Sequence, residues 1–283
     1  MKKILIASIV SIALFVTGYA QSDDSKKKPG KITAEEIVTK HLASIGTPEA
    51  LAKVKSRVMI GEGRITGKVG ISGMLGGPAQ LASEGNKVLL AMVFNSNDYP
   101  YERVGFDGED LSLGRPSGRR TELAQFLKSH SSIVKEGLFS GTLSSAWPLL
   151  NMTGRKVKLQ YDGTIGSGDR QLHKLKYSTS RAGILNIVLY FDAVTFQHLM
   201  SEYKYTVEPG IRQQTNSRAR PNYFTLIEQF SDFRKAGELT LPFSYGIDIS
   251  AQTEDETYSI KWGVNVKEVY YNEPLEVTAF KVS

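Results

Sequence analysis

The sequence contains no cysteine, only two tryptophans and four histidines, and one apolar run long enough to bear on a membrane. Without cysteine there can be no disulfide framework. A thiol to be acylated at a processed N-terminus, the usual bacterial lipoprotein anchor, is missing too. The histidines, His41, His130, His173 and His198, are far apart, and none has a second histidine at metal-ligand spacing. GxSxG, HExxH, P-loop and EF-hand patterns are all absent. Gly61-Glu-Gly63-Arg-Ile-Thr-Gly67 has the wrong spacing for a dinucleotide loop. These absences leave no catalytic residue, no metal and no cofactor to assign. The acidic run Glu254-Asp255-Glu256 reads as a solvated loop.

The apolar run lies at the start of the chain. Met1-Lys-Lys3 is followed by apolar residues 4–16 and by the small-residue ending Thr17-Gly-Tyr-Ala20. This is the pattern of a cleaved signal peptide, and the run is short for a membrane span. Residues 1–20 are therefore expected to be a signal, 21–32 a flexible lysine-rich segment, and 33–283 a single domain. The formal charge is +6, and loss of Lys2 and Lys3 would leave +4. The remaining cations are mixed with acids along the chain, which argues against a nucleic-acid surface. An exported protein, periplasmic and monomeric, is the expectation.

Thr33-Ala-Glu-Glu36 has the spacing of a capping box. The helix after it carries Ile37, Val38, Leu42 and Ile45 on one side, with His41 expected at its boundary. Thr47-Pro48 starts a second short helix. From Ser56 the apolar period becomes two. Arg57–Ile65 and Lys68–Leu75 read as strands, Gly76-Gly77-Pro78 as a turn, and Gln80–Gly85 as the next strand. The Gly61–Gly67 glycines suit a tightly coiled sheet or a bulge. Lys87–Phe94 is apolar on both faces and needs cover on both. Tyr101–Phe106 and Leu111–Leu113 flank an Asp107-Gly108 turn. Gly114–Arg120 is a basic loop, as is the stretch from Arg212 to Arg220.

From Thr121 the period turns helical. Leu123, Phe126, Leu127, Val134 and Leu138 form an apolar stripe, His130 continues it, and Gly141 ends it. A second apolar segment contains Trp147. Strands then resume to the end of the chain. In one of them Leu185, Ile187, Leu189 and Phe191 share a face, before a turn at Asp192-Ala-Val-Thr195. His173 and His198 are placed to face one another across strands. Ten or eleven strands joined by short turns give a mainly β (α+β) fold. The expected architecture is one strongly coiled antiparallel sheet, a half-open barrel, with N-terminal helices and a mid-chain helical lid.

The capped helix, the coiled sheet, the helical insert and the Leu189-Tyr-Phe-Asp192-x-x-Thr195 hairpin together resemble the periplasmic lipoprotein carriers of the Lol type (LolA/LolB-like) and their outer-membrane lipoprotein-sorting relatives. That resemblance implies a half-barrel holding lipid or lipoprotein acyl chains under a helical lid. It implies a membrane donor or acceptor protein as partner, and no enzymatic activity. No residue is carried over from the family; the lining expected from the apolar stripe and strand face themselves is Leu123, Phe126, Leu127, Val134, Leu138, Trp147, Leu185, Ile187, Leu189 and Phe191. A buried methylene is worth roughly 0.8 kcal/mol, so about fifteen would supply on the order of 10 kcal/mol before ordering costs. The rival readings are a dry core filled by the same residues, an outer-membrane β-barrel, a structural cell-envelope protein without cargo, and a hydrolase assembled on a sheet, which the absent motifs disfavour.

Overall fold

Among the described residues twelve strands form one sheet, and every neighbouring pair in it is antiparallel. The computed structural model describes residues 32–67, 73–209, 220–254 and 256–282. The residues expected to be a signal, most of those expected to be a flexible segment, Lys68–Ser72 and most of the stretch from Arg212 to Arg220 lie outside them. Thr33–Ser283 is one compact unit.

Two meanders build the sheet. The first comprises β1 (Ser56–Gly67), β2 (Met74–Glu84), β3 (Lys87–Val93), β4 (Tyr101–Phe106) and β5 (Leu111–Leu113). The second comprises β6 (Val157–Ser167), β7 (Arg170–Thr179), β8 (Asn186–Asp192), β9 (His198–Val207), β10 (Asn222–Ala236), β11 (Leu239–Gln252) and β12 (Thr257–Tyr271). Pairing of β1 with β12 fuses them. β5 and β6 are left as the two outer edges, so the barrel is open. The chain between those edges has to cross the sheet, and it does so as the lid.

The expected turn at Gly76-Gly77-Pro78 is instead part of β2, paired with Arg64, Gly63 and Glu62. Small residues there meet a steric need. A Cβ on Gly77 would stand 2.0 Å from the Val93 carbonyl oxygen, and one on Gly61 2.0 Å from that of Asn265. Gly61 sits at a register shift between β1 and β12, so the bulge expected from these glycines is present. Pro78 pairs with Glu62 of β1 and falls one residue outside the paired register of β2 with β3, which begins at Ala79.

The expected single stripe from Thr121 to Leu138 is two helices, α3 (Glu122–Ser129) and α4 (Ser132–Lys135), broken at His130 and Ser131. His130 is the C-cap of α3 and does not continue the stripe. Single turns of 3-10 helix follow at Gly141–Leu143 and Pro148–Leu150. At the N-terminus, α1 (Ala34–Ile45) and α2 (Pro48–Lys53) form as read. Thr33 Oγ1 accepts from the Glu36 amide at 3.1 Å and Glu36 Oε2 from the Thr33 amide at 2.8 Å. The buried stripe of α1 is Ala34, Ile37, His41 and Ile45, a phase different from the one expected. His41 is thus a core residue and not a boundary one.

Apolar residues on both faces of the sheet are covered. Val88, Leu90 and Met92 of β3 are buried on the lid side. Leu89 packs on the opposite side with Val58, Ala82 and Phe280. The C-terminal 3-10 turn Val277–Phe280 supplies that cover.

Candidate functional site

The lid is held by polar groups that sit inside an otherwise apolar interface. Glu102 of β4 and Glu228 of β10 are fully buried. Each occurs where the inward alternation calls for an apolar side chain, beside Val104 and Phe106 in one strand and Leu226 and Phe230 in the other. Glu102 accepts from Tyr99 Oη and from Thr121 Oγ1 (3.0 Å), the latter being the N-cap of α3. Tyr99 Oη in turn accepts from Trp262 Nε1 at 3.1 Å. Glu228 accepts from the Ser140 amide (2.7 Å), from Tyr203 Oη (2.8 Å) and from Tyr245 Oη. Ser140 is left-handed, φ 67°, and the carboxylate holds it in that sparsely populated conformation. Burial pushes both carboxyls up to about 7, against the bonds they accept.

A second anchor joins the lid to α1. Trp147 Nε1 donates to His41 Nε2 at 3.1 Å, while His41 Nδ1 bonds the Phe196 carbonyl oxygen at 3.0 Å. The carbonyl only accepts, so the proton is on Nδ1 and Nε2 is free to accept from the indole. His41 must be neutral for this pair to exist, and burial lowers its pKa to about 4. His198 is stacked on Trp147 at 4.7 Å and faces His41 at 6.0 Å. Its Nδ1 meets Thr142 Oγ1 at 3.3 Å, and its Nε2 meets the Met200 carbonyl at 3.1 Å. Burial holds His198 well below its ordinary value as well. His173 and His198 do not touch. They flank Phe191 from opposite strands, both in register with it. No group of three metal-ligating side chains occurs among the described residues.

The third anchor is Arg57 on β1, 2 % exposed, whose Nη1 donates to the Thr142 carbonyl at 2.7 Å. Its Nε has no partner. No carboxylate pairs with it among the described residues, and burial lowers the guanidinium to about 10. An uncompensated buried charge costs several kcal/mol, on the order of 3. Arg57 borders two spaces. One is a void of about 10 Å³ beneath the lid, shared with Ser140 and Leu143, at the lower limit for one water. The other is an open groove of about 870 Å³ between α1, α2 and the last lid segment.

Leu42, Ala43, Pro48, Leu51, Ala52, Val54 and Leu150 form the apolar walls of that groove. Its charged lining is Lys55 and Arg57, with no Asp or Glu. The ten residues expected to line a cavity are elsewhere. All are buried, 6 % exposed at most. Trp147 stacks on His198, whose ring lies 5.3 Å from that of Phe191, and Phe126 of the lid lies 5.7 Å from Tyr205. Of the ten, Phe126 also borders a separate groove of about 410 Å³, beside Tyr205 and Phe224. The basic loop has Arg115 and Arg120 beside Lys128 and Lys135 along a further groove, with Asp110 as its acid. Sequence reasoning missed Arg57, Glu102, Glu228 and His41. Each occupies an inward phase of its strand or helix, and that phase was the available signal.

No protein-family model matches this chain, and no curated protein matches it. Among solved structures it is similar to a LolA superfamily protein from Nitrosomonas europaea, at 14 % identity and a TM-score of 0.46, over 89 % of this chain and 99 % of that one. A putative outer membrane lipoprotein-sorting protein domain from Vibrio parahaemolyticus gives 12 %, 0.44, 87 % and 94 % in the same order. The MucA/MucB complex of Pseudomonas aeruginosa gives 10 %, 0.22, 84 % and 99 %. The half-open antiparallel barrel with a helical lid is established by this chain's own strand order, and its function has to be argued from its own residues.

Proposed function

We propose that this protein is an exported, non-enzymatic carrier of lipid or lipoprotein acyl chains. The observation that supports it is the apolar groove of about 870 Å³ between the N-terminal helices and the lid, a size typical of small-molecule sites. The acyl chain enters there. In the loaded state the lid stripe of Leu123, Phe126, Leu127, Val134 and Leu138, with Trp147, moves off Leu185, Ile187, Leu189 and Phe191, and both surfaces line the cargo. A donor or acceptor protein in the membrane then exchanges it, and the carrier acts as a monomer.

Delipidated protein should take up a fluorescent fatty acid, and lipid should accompany the native protein in mass spectrometry. Leu51→Glu in the groove and Trp147→Glu or Phe126→Glu in the lid should each reduce uptake more than a matched surface change. A folded, delipidated protein that takes up no fatty acid refutes the proposal.

A structural envelope protein without cargo is the second reading, and a specific observation favours it: beneath the closed lid only about 10 Å³ is empty. The same uptake assay decides between the two. An outer-membrane barrel fits less well, because the described sheet is open between β5 and β6 and buries an apolar core on its lid side.

A further inference from the structure

The geometry points to a long-chain fatty-acid carboxylate as the ligand of the groove between α1, α2 and the lid, its head group held by Arg57 at the buried wall and Lys55 at the rim. This rests on the carrier reading and narrows it from acyl chains in general to an anionic amphiphile. Three observations carry it. The groove joins apolar walls to two cations and contains no acid, so its charge complements an anion. Arg57 is almost wholly buried without a carboxylate partner, which is rare for a guanidinium and is relieved by a bound anion. One amino group of its fork is committed to the Thr142 carbonyl, while Nε is unpartnered. A planar carboxylate offers two acceptor oxygens to such a fork. A water in the small void beside Arg57 could satisfy Nε but could not neutralise the charge.

The test uses the purified, delipidated protein and competition against a fluorescent fatty acid. The competitors are palmitate and methyl palmitate, which share a chain and differ in charge. Palmitate should compete at least about tenfold better, a difference of about 1.4 kcal/mol. Arg57→Gln should remove most of the preference for palmitate over its ester, while Arg57→Lys keeps much of it. Lys55→Gln should lower it in part, and added salt should weaken palmitate alone. Lys55 is exposed, so Lys55→Gln and the salt series stand in if a thermal melt shows Arg57→Gln unfolded. Equal competition by palmitate and its ester overturns the head-group assignment and leaves chain binding intact. Failure of both to bind overturns the carrier reading as well.

Discussion

Glu228→Gln tests whether a buried carboxyl pins the lid in the way the geometry requires. The amide is nearly isosteric with the protonated acid and can keep the network. Its oxygen accepts from the Ser140 amide and Tyr245 Oη, and its amino group donates to Tyr203 Oη, whose own proton turns to the Leu138 carbonyl at 3.3 Å. The carboxyl rises from 4.5 in the unfolded chain to about 7 in the folded one. A raised folded value means that the folded state binds the extra proton. Its contribution is therefore fully present below pH 4.5 and is lost as pH rises through 7. That rise corresponds to about 3 kcal/mol over the whole window, of which about 2 kcal/mol falls between pH 5 and 7.5. Glutamine has no such proton to lose. The variant should match the wild type near pH 5 and exceed it by about 2 kcal/mol at pH 7.5. Urea unfolding followed by the fluorescence of Trp147 and Trp262 at a series of pH values measures this. The other titrating groups are common to both proteins, so the difference between the curves isolates Glu228. Parallel curves, or a variant less stable at pH 7.5, would refute the reasoning.

His41→Gln should change the same profile in the opposite sense. The folded pKa of about 4 lies below the unfolded 6.5, so the histidine's contribution is present above pH 6.5 and is lost as pH falls through 4, costing the wild type about 2 kcal/mol by pH 5. The variant should lose His41's share of the acid slope in urea titrations, and an unchanged slope would show that His41 is not a group protonated on unfolding in that range. Gly141→Ala should destabilise by about 2–3 kcal/mol in thermal melts, because residue 141 has φ 46° and a Cβ there would lie 2.6 Å from Phe230 Cζ and 2.9 Å from His198. Phe280→Ala should cost about 3–5 kcal/mol by uncovering Leu89, Val58 and Ala82, and a smaller loss would mean that the C-terminal turn is not their main cover.

The elements that could be read from the sequence are those whose signal is local. The capping box at Thr33, the Asp107-Gly108 hairpin and the alternation around Leu185–Phe191 each depend on neighbours a few residues away. Asp192 shows the same logic, since its Oδ1 accepts from the Val194 and Thr195 amides at 2.9 and 2.8 Å. What could not be read depends on distant partners. Gly77 looks like a turn residue until Val93 is known to lie against it. His41 looks like a boundary residue until Trp147, 106 positions away, is seen to donate to it. The candidate site belongs to this second kind. Its walls come from α1, α2, β1 and the lid, and no short motif marks it.

The position of the lid follows from topology. Strand order places β5 and β6 at opposite edges of the sheet, so the segment joining them must span the sheet whatever its sequence. An apolar stripe on that segment would hold it down, but apolar packing alone does not fix one register. The polar anchors do. Glu102 marks the N-cap of α3, Glu228 the left-handed Ser140, Arg57 the Thr142 carbonyl, and His41 the indole of Trp147. Two of these groups favour acid and one favours base over an overlapping range of pH, from their shifts to about 7 and about 4. The two carboxyls are therefore opposed between pH 5 and 6.5 by His41, and by His198, which burial also holds low, so the closed lid is less pH-sensitive there than the carboxyls alone would make it.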